Sequence, residues 1–309
     1  MPLIWASRLA NAPSRRSYRY PALLLLVTVV WGLTFPVLKI ATSVLSGVEI
    51  TTLRFCIAAV CMLPFVRGVS ASAWRDGLLL GGLALFSMAA QAYGLQFIAS
   101  NRSAFLTSLS VLMVPLLGLL LGARPRLLIF VAAALACFGI GLMSYEGEAN
   151  LWADAATLLA ALAYAVYTIG MSARAPRHSA VQLATAQVCC MAVMGLVWMA
   201  LDSGGTRMAN LPHVITIEVL CGLVFLGAIA SAATFFLQAL SQTHVSAEQA
   251  AIIYAMEPVF AALFAWFLLA EQMSSMAQLG AVIVVFAVLL SQRPEALAPT
   301  HEAPAGLAP

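Results

Sequence analysis

The chain has 309 residues, of which 63% are hydrophobic and only 9% charged, and a formal net charge of +3. Soluble domains carry about a quarter charged residues, so this chain cannot hide its apolar surface in a water-facing fold and takes lipid as its solvent. The small, dispersed positive charge also argues against a nucleic-acid partner, which requires a clustered basic patch.

Met1 to Tyr20 carries Arg8, Arg15, Arg16 and Arg19 and is predicted to be a cytoplasmic N-terminal segment, residues 1–20. The apolar run that follows is too long for a cleaved signal peptide and is read as an uncleaved first helix. A membrane span needs about 20 apolar residues. Ten runs qualify in chain order: Pro21–Ile40, Ile50–Val66, Gly77–Ile98, Ser103–Leu121, Leu127–Ser144, Ala155–Met171, Ala180–Leu201, Ile217–Leu240, Ala247–Ala270 and Met276–Leu290. The joining loops are short, the longest being Asp202 to Thr216. Tyr145 to Asp154 joins the two halves. The stretch 292–309, rich in Pro and Ala and without apolar period, is predicted to be a disordered cytoplasmic tail.

The runs repeat. Trp31 and Tyr164, and Arg54 and Gln187, are separated by the same shift of about 133 positions. Ser103-Ala104 with Val114-Pro115 matches Ser246-Ala247 with Glu257-Pro258 at a shift of about 143, so one loop-sized insertion joins the two registers. Two units follow, 21–145 and 146–291, each with five spans. An odd number of crossings makes the second unit enter the membrane from the opposite side. The predicted fold is therefore an all-α membrane protein of ten transmembrane helices in two inverted five-helix repeats, an architecture that places a transporter's substrate site near the midplane.

Arginine bias sets the orientation, because positively charged loops stay in the cytoplasm. With the N-terminus inside, Arg67, Arg75, Arg124, Arg126, Arg174, Arg177 and Arg293 join the N-terminal arginines on the cytoplasmic side, and the outer loops hold only Arg102 and Arg207. Glu49, Glu146, Glu148, Asp154, Asp202 and Glu271 fall outside. Both termini are thus expected in the cytoplasm. Gly77 with Gly81 and Gly118 with Gly122 have the spacing of close helix contacts, although glycine is also simply commoner in membrane helices.

Glu257 carries the most chemistry. An ionisable group midway along a span is costly and marks function by default, and Pro258 beside it should bend the helix. The equivalent Val114-Pro115 keeps the proline and lacks the charge. Two readings of Glu257 stand: a cavity carboxylate for a cationic group or a coupling proton, or a neutral packing residue beside the kink. Arg54, within the second run, either snorkels to the outer interface or faces inward to hold an anionic group. Lys39 reads as an interface anchor. Ala250, Tyr254, Glu257, Ala261 and Phe264 would share one helical face, as would Thr107, Ser110 and Val114. Gln91, Tyr164, Tyr167, Gln238 and Trp31 complete the candidate substrate-binding or coupling set; each alone is more often a packing residue.

The six cysteines lie inside apolar runs and read as small hydrophobes. The four histidines lie in loops or the tail, which argues against a buried histidine site. Metalloprotease, hydrolase and phosphate-loop motifs are missing. No catalytic residue, metal or cofactor is expected.

Trp31-Gly32-Leu33-Thr34-Phe35 followed by Lys39, Leu53-Arg54-Phe55, Leu106-Thr107-Ser108 with Pro115, and Glu257-Pro258-Val259-Phe260 with Leu268-Leu269-Ala270-Glu271 and Leu279-Gly280-Ala281 appear in order along the chain. Together they resemble the drug/metabolite transporter superfamily, specifically EamA-type members with two EamA repeats. The first repeat departs in lacking a glutamate where the second has Glu271. The resemblance implies a central cavity between the halves, alternating access, and transport of small metabolites such as amino-acid-like compounds or drugs. The resulting expectation is a non-enzymatic exporter of the bacterial-type inner membrane. Its partners are a small-molecule substrate and the lipid bilayer, with a proton as candidate coupling ion and a homodimer as candidate assembly. The rival classes are an intramembrane lipid-modifying or hydrolytic enzyme and a non-transporting membrane scaffold.

Overall fold

Capping side chains start several of the helices. Ser46 accepts a hydrogen bond from the Glu49 amide while the Glu49 carboxylate accepts from the Ser46 amide at 2.7 Å, a reciprocal box that opens α2, Gly47–Met62. Asn150 opens α6, Leu151–Arg174, Thr216 opens α8, Ile217–Val224, and Ser246 opens α10, Ala247–Tyr254, each by accepting an N3 amide. Glu49, placed by sequence among the outer-loop acids, is thus a buried cap.

The computed structural model describes residues 18–41, 44–95, 97–98, 106–123, 125–143, 150–203, 215–269 and 274–291. The N-terminal segment, most of both long loops, the beginning of the predicted fourth run, Glu271, the tail and the Lys39 side chain lie outside the description. Among the described residues the chain is all-helical. The first half holds α1, Arg19–Ala41; α2, which runs into a 3₁₀ turn at Leu63–Gly68; α3, Ala71–Leu95; α4, Ser110–Leu120; and α5, Leu127–Met143. The second holds α6; α7, Ala180–Ser203; a rod made of α8, a π-helical stretch Phe225–Ala233 and α9, Thr234–Ser241; then α10 and α11, Glu257–Leu269; and α12, Ser275–Ser291.

Among the described residues, five stretches are long and apolar enough to cross a membrane: Gly47–Gly68, Leu151–Arg177, Ala180–Leu201, Ile217–Ser241 and Ala247–Leu268. The shortest of these has 22 residues, or about 33 Å of helix, against a hydrocarbon core of about 30 Å. Arg19–Thr34, Leu106–Leu120, Leu127–Leu142 and Gln278–Ser291 are shorter apolar helices. Large side chains such as Leu120, Phe267, Leu201 and Leu289 face outward, as they do where lipid is the solvent.

Much of the packing repeats when the halves are exchanged. Counterparts touch directly: α5 on α12, α4 on α10, α2 on α7. Several other contacts come in matched pairs: α3 on α7 as the π stretch on α2, α3 on α6 as α9 on α1, α4 on α6 as α11 on α1; α9 also packs on α7, without a comparable contact of α3 on α2 among the described residues. Sequence repetition is thus accompanied by a partly repeated pattern of helix contacts, and helices of the two halves pack on one another.

The two predicted glycine pairs part ways. A Cβ on Gly77 would lie 2.3 Å from the Ala186 Cβ and one on Gly81 3.0 Å from the Gln187 carbonyl, so this pair does bring α3 onto α7. Gly122 instead has φ +86° just past the end of α4, where it terminates the helix, and no neighbour lies within 4 Å of where its Cβ would be.

Candidate functional site

The second-half helix that carries Glu257 is broken. α10 ends at Tyr254, Ala255 and Met256 form a turn, and α11 restarts at Glu257 with Pro258 in its first turn. Proline is well placed there, since its missing N–H belongs to a position without an intrahelical partner. The single face predicted through Ala250, Tyr254, Glu257, Ala261 and Phe264 presupposes an unbroken helix, and the structure replaces it with two helices meeting at the glutamate. The first half breaks too, with a helical turn at 106–108, a turn at Leu109 and α4 from Ser110. There Pro115 lies inside the helix.

Both breaks border a cavity of about 200 Å³ between the halves. Trp31, Arg54, Gln91, Thr107, Tyr164, Tyr167, Gln238 and Glu257 line it. Two of the sequence candidates do not. Tyr254 is buried behind the wall, its ring 5.5 Å from Trp31 and 6.1 Å from Tyr164, and Ser110 is buried away from it. Thr34, Ser87, Ser108 and Phe235 also line the wall and were not among the sequence candidates. Thr34 had a visible signal, since it follows Trp31 by one helical turn. Ser108 stands in the Leu106-Thr107-Ser108 motif beside Thr107, and Ser87 had no signal beyond being polar.

Aromatic rings make one side of the site. Tyr164 lies 6.5 Å from Trp31 and 5.5 Å from Tyr167, and Tyr167 lies 6.5 Å from Phe235. Tyr167 donates to Gln238 Oε1 at 2.9 Å, Gln91 donates to Thr107 at 3.1 Å, and Trp31 Nε1 donates to Thr234 at 3.3 Å. Gln238 also lies beside Tyr164 and Tyr254. Neither hydroxyl reaches hydrogen-bond geometry with a partner, and the Gln238 amide nitrogen also lacks one. Buried polar groups are normally paired; Tyr164 and Gln238 line the cavity, and Tyr254 lies behind it.

Arg54 does not snorkel. It is buried, and Nε donates to Ser231 Oγ at 2.9 Å and Nη2 to the Ala230 carbonyl at 3.2 Å, across the interface to the second half. Its guanidinium carbon lies 5.4 Å from the Phe55 ring centre. Glu257 is half-buried on the same cavity. Arg54 and Glu257 line the same cavity and do not form an ion pair with each other. The equivalent of Arg54, Gln187, is fully buried and donates within its own helix to the Leu183 carbonyl.

A second charged cluster ties the halves together away from the cavity. Asp76 precedes by one residue the predicted start of the third span. It meets His178 Nε2 at 2.9 Å and Arg174 Nε at 3.4 Å from the second half. Burial alone would push the Asp76 carboxyl up, but the His178 hydrogen bond and the charges of Arg174, His178 and Arg75 outweigh it and hold the group below the ordinary aspartate value. His178 had read as a plain loop residue. Its sequence neighbourhood gave no hint of an acid on α3.

The EamA-like transporter family matches residues 20–145 and 151–292, one copy in each half of the chain. The chain belongs to that family. It is similar to two uncharacterized transporters of Archaeoglobus fulgidus. One is 28% identical over 271 residues, covering 86% of this chain and 83% of the relative; the other is 25% identical over 281 residues, covering 87% and 96%. A solved structure described as "Crystal structure of protein" superposes with a TM-score of 0.69 at 16% identity, covering 88% of this chain and 97% of its own, and bears on the fold alone. This is a multi-pass membrane transporter, not an enzyme.

Proposed function

We propose that this transporter exports small organic solutes that carry both an acidic and a basic group on an apolar body, amino-acid-like compounds being the type. One observation carries the reading: Arg54 and Glu257, of opposite charge, line one small cavity between the repeats without pairing to each other. A zwitterion spanning the cavity would offer its carboxylate to Arg54 and its ammonium to Glu257, with its apolar part against Trp31, Tyr164 and Phe235. Each charge would then gain a partner in a low-dielectric site where pairing counts most.

Ten spans are proposed to cross the cytoplasmic membrane as two inverted sets of five, with both termini inside. The solute site is then near the midplane, at broken helices, as in other inverted-repeat transporters. Rocking of one half against the other would expose it to each side in turn. Glu257 is proposed to exchange a proton for the solute's ammonium group, which would couple flux to a pH gradient.

The test uses purified protein in liposomes with radiolabelled phenylalanine, phenethylamine and hydrocinnamate. Phenylalanine is expected to be carried best, and to stabilise the protein against heat in proportion to its occupancy. Equal transport of phenethylamine would show that the acidic group is not recognised and would sink the zwitterion reading.

A further inference from the structure

The π-helical stretch Phe225–Ala233 interrupts an otherwise α-helical rod in one half only. Its counterpart, α3, remains α-helical throughout Ala71–Leu95. The facing helices differ in the same sense: the π stretch packs on α2, which carries Arg54, and α3 packs on α7, which carries neutral Gln187. The widened helix therefore stands where the buried guanidinium needs acceptors.

The acceptors come from that stretch. Ser231 Oγ accepts from Arg54 Nε at 2.9 Å and donates to the Leu226 carbonyl five residues back at 2.8 Å. That span of five is the hydrogen-bond spacing of a π-helix, so the hydroxyl is held by the irregular backbone it belongs to. The Ala230 carbonyl accepts from Nη2 at 3.2 Å. Gly227 lets the two elements meet: a Cβ there would lie 2.6 Å from the Ile57 side chain and 2.8 Å from the Arg54 carbonyl. A guanidinium has five donors. Two are taken from one side by this cradle, which leaves its terminal edge for the cavity that Arg54 lines.

We infer that Ser231 is the positioning residue of the solute site: it fixes Arg54 so that its terminal edge, and not its Nε side, meets the solute's acidic group. The inference rests on the zwitterion reading above for what Arg54 meets. The hydroxyl touches no solute itself and acts through the arginine. Because it belongs to the second half and Arg54 to the first, the contact also makes the aim of the arginine depend on how the halves are placed.

The test has one arm that needs a solute and one that does not. In liposomes, Ser231→Ala is expected to raise the half-saturation concentration for phenylalanine about tenfold, the weight of one charge-assisted hydrogen bond, and to leave phenethylamine unchanged. In an Arg54→Gln background the same Ser231→Ala should add nothing, as expected for two residues acting as one unit. An unchanged value for phenylalanine, an equal rise for phenethylamine, or a further loss in the Arg54→Gln background overturns the inference. In the second arm, NMR of detergent-solubilised protein labelled with ¹⁵N at arginine Nε follows the Arg54 signal, assigned by its loss in Arg54→Lys. Slow solvent exchange of that N–H in the wild type and its acceleration in Ser231→Ala are expected; equal exchange overturns the inference. If the wild type carries none of the three probes, the zwitterion reading falls and the NMR arm alone decides Ser231. Should Ser231→Ala fail to fold, Ser231→Cys, close in volume and a poorer acceptor, replaces it in both arms.

Discussion

At Glu257 the two roles left open by sequence lead to different outcomes for Glu257→Gln. Glutamine keeps the size and most of the hydrogen bonding but cannot titrate. With Glu257 lining the cavity, the variant is expected to keep near wild-type expression and melting temperature while losing solute accumulation driven by an imposed pH gradient in liposomes. Exchange of solute without a gradient should survive. Accumulation that persists would return Glu257 to a packing role beside the helix break. Arg54→Lys is the companion case. Lysine keeps the charge but has a point-like head that cannot serve Ser231, Ala230 and the cavity together. Uptake of phenylalanine should fall by about tenfold or more, one charge-assisted hydrogen bond being the least it loses, and normal uptake would show that the forked geometry is unnecessary.

Two irregular elements frame the site, and each has a local physical cause. The break at Ala255-Met256 leaves Pro258 in a first helical turn, where its missing N–H costs nothing. The π stretch presents Ser231 and the Ala230 carbonyl to Arg54 and depends on the close approach at Gly227. Gly227→Ala would drive a methyl into Ile57 and the Arg54 backbone, and is expected to destabilise the protein by about 1–3 kcal/mol, the usual cost of overpacking. A lowered melting temperature of the purified variant checks this; an unchanged one would mean that α2 and the π stretch separate easily.

Across the whole molecule, the two halves meet at the cavity and again at Asp76. Since the Asp76 value in the folded protein lies below its ordinary one, its stabilisation is complete above the unfolded-state value of about 4 and lost as pH falls through the folded value. Asp76→Asn should therefore lower the melting temperature at neutral pH, by the equivalent of about 1–2 kcal/mol. It should also remove part of the wild type's loss of stability on acidification. An acid limb of the same depth in both proteins would place the titrating group elsewhere. The proposed orientation is tested with single cysteines in a cysteine-free background. Asn150→Cys, at the start of α6, should react with an impermeant thiol reagent added outside, and Arg177→Cys, past its end, should not. The opposite pattern would reverse the orientation, and reaction at both would contradict a span between them.

Composition alone required a lipid-facing protein, because a chain with 9% charged residues has too little polar surface for water. Motif order and the internal repeat led to the family, since both are properties of residues along a line. Eight of the ten candidate residues meet at the cavity, and most were visible as polar or aromatic residues inside apolar runs. Periodicity failed where the helix is not regular: it carried one face through the break before Glu257 and excluded the displacement of Tyr254 behind the wall. Partners distant in sequence were hidden for a simpler reason. Arg54 and Ser231 lie 177 positions apart and Asp76 and His178 102 apart, and no local pattern relates them. Whether a buried arginine snorkels or reaches across to the other half depends on which backbone stands opposite, and only the packing of the two halves decided that.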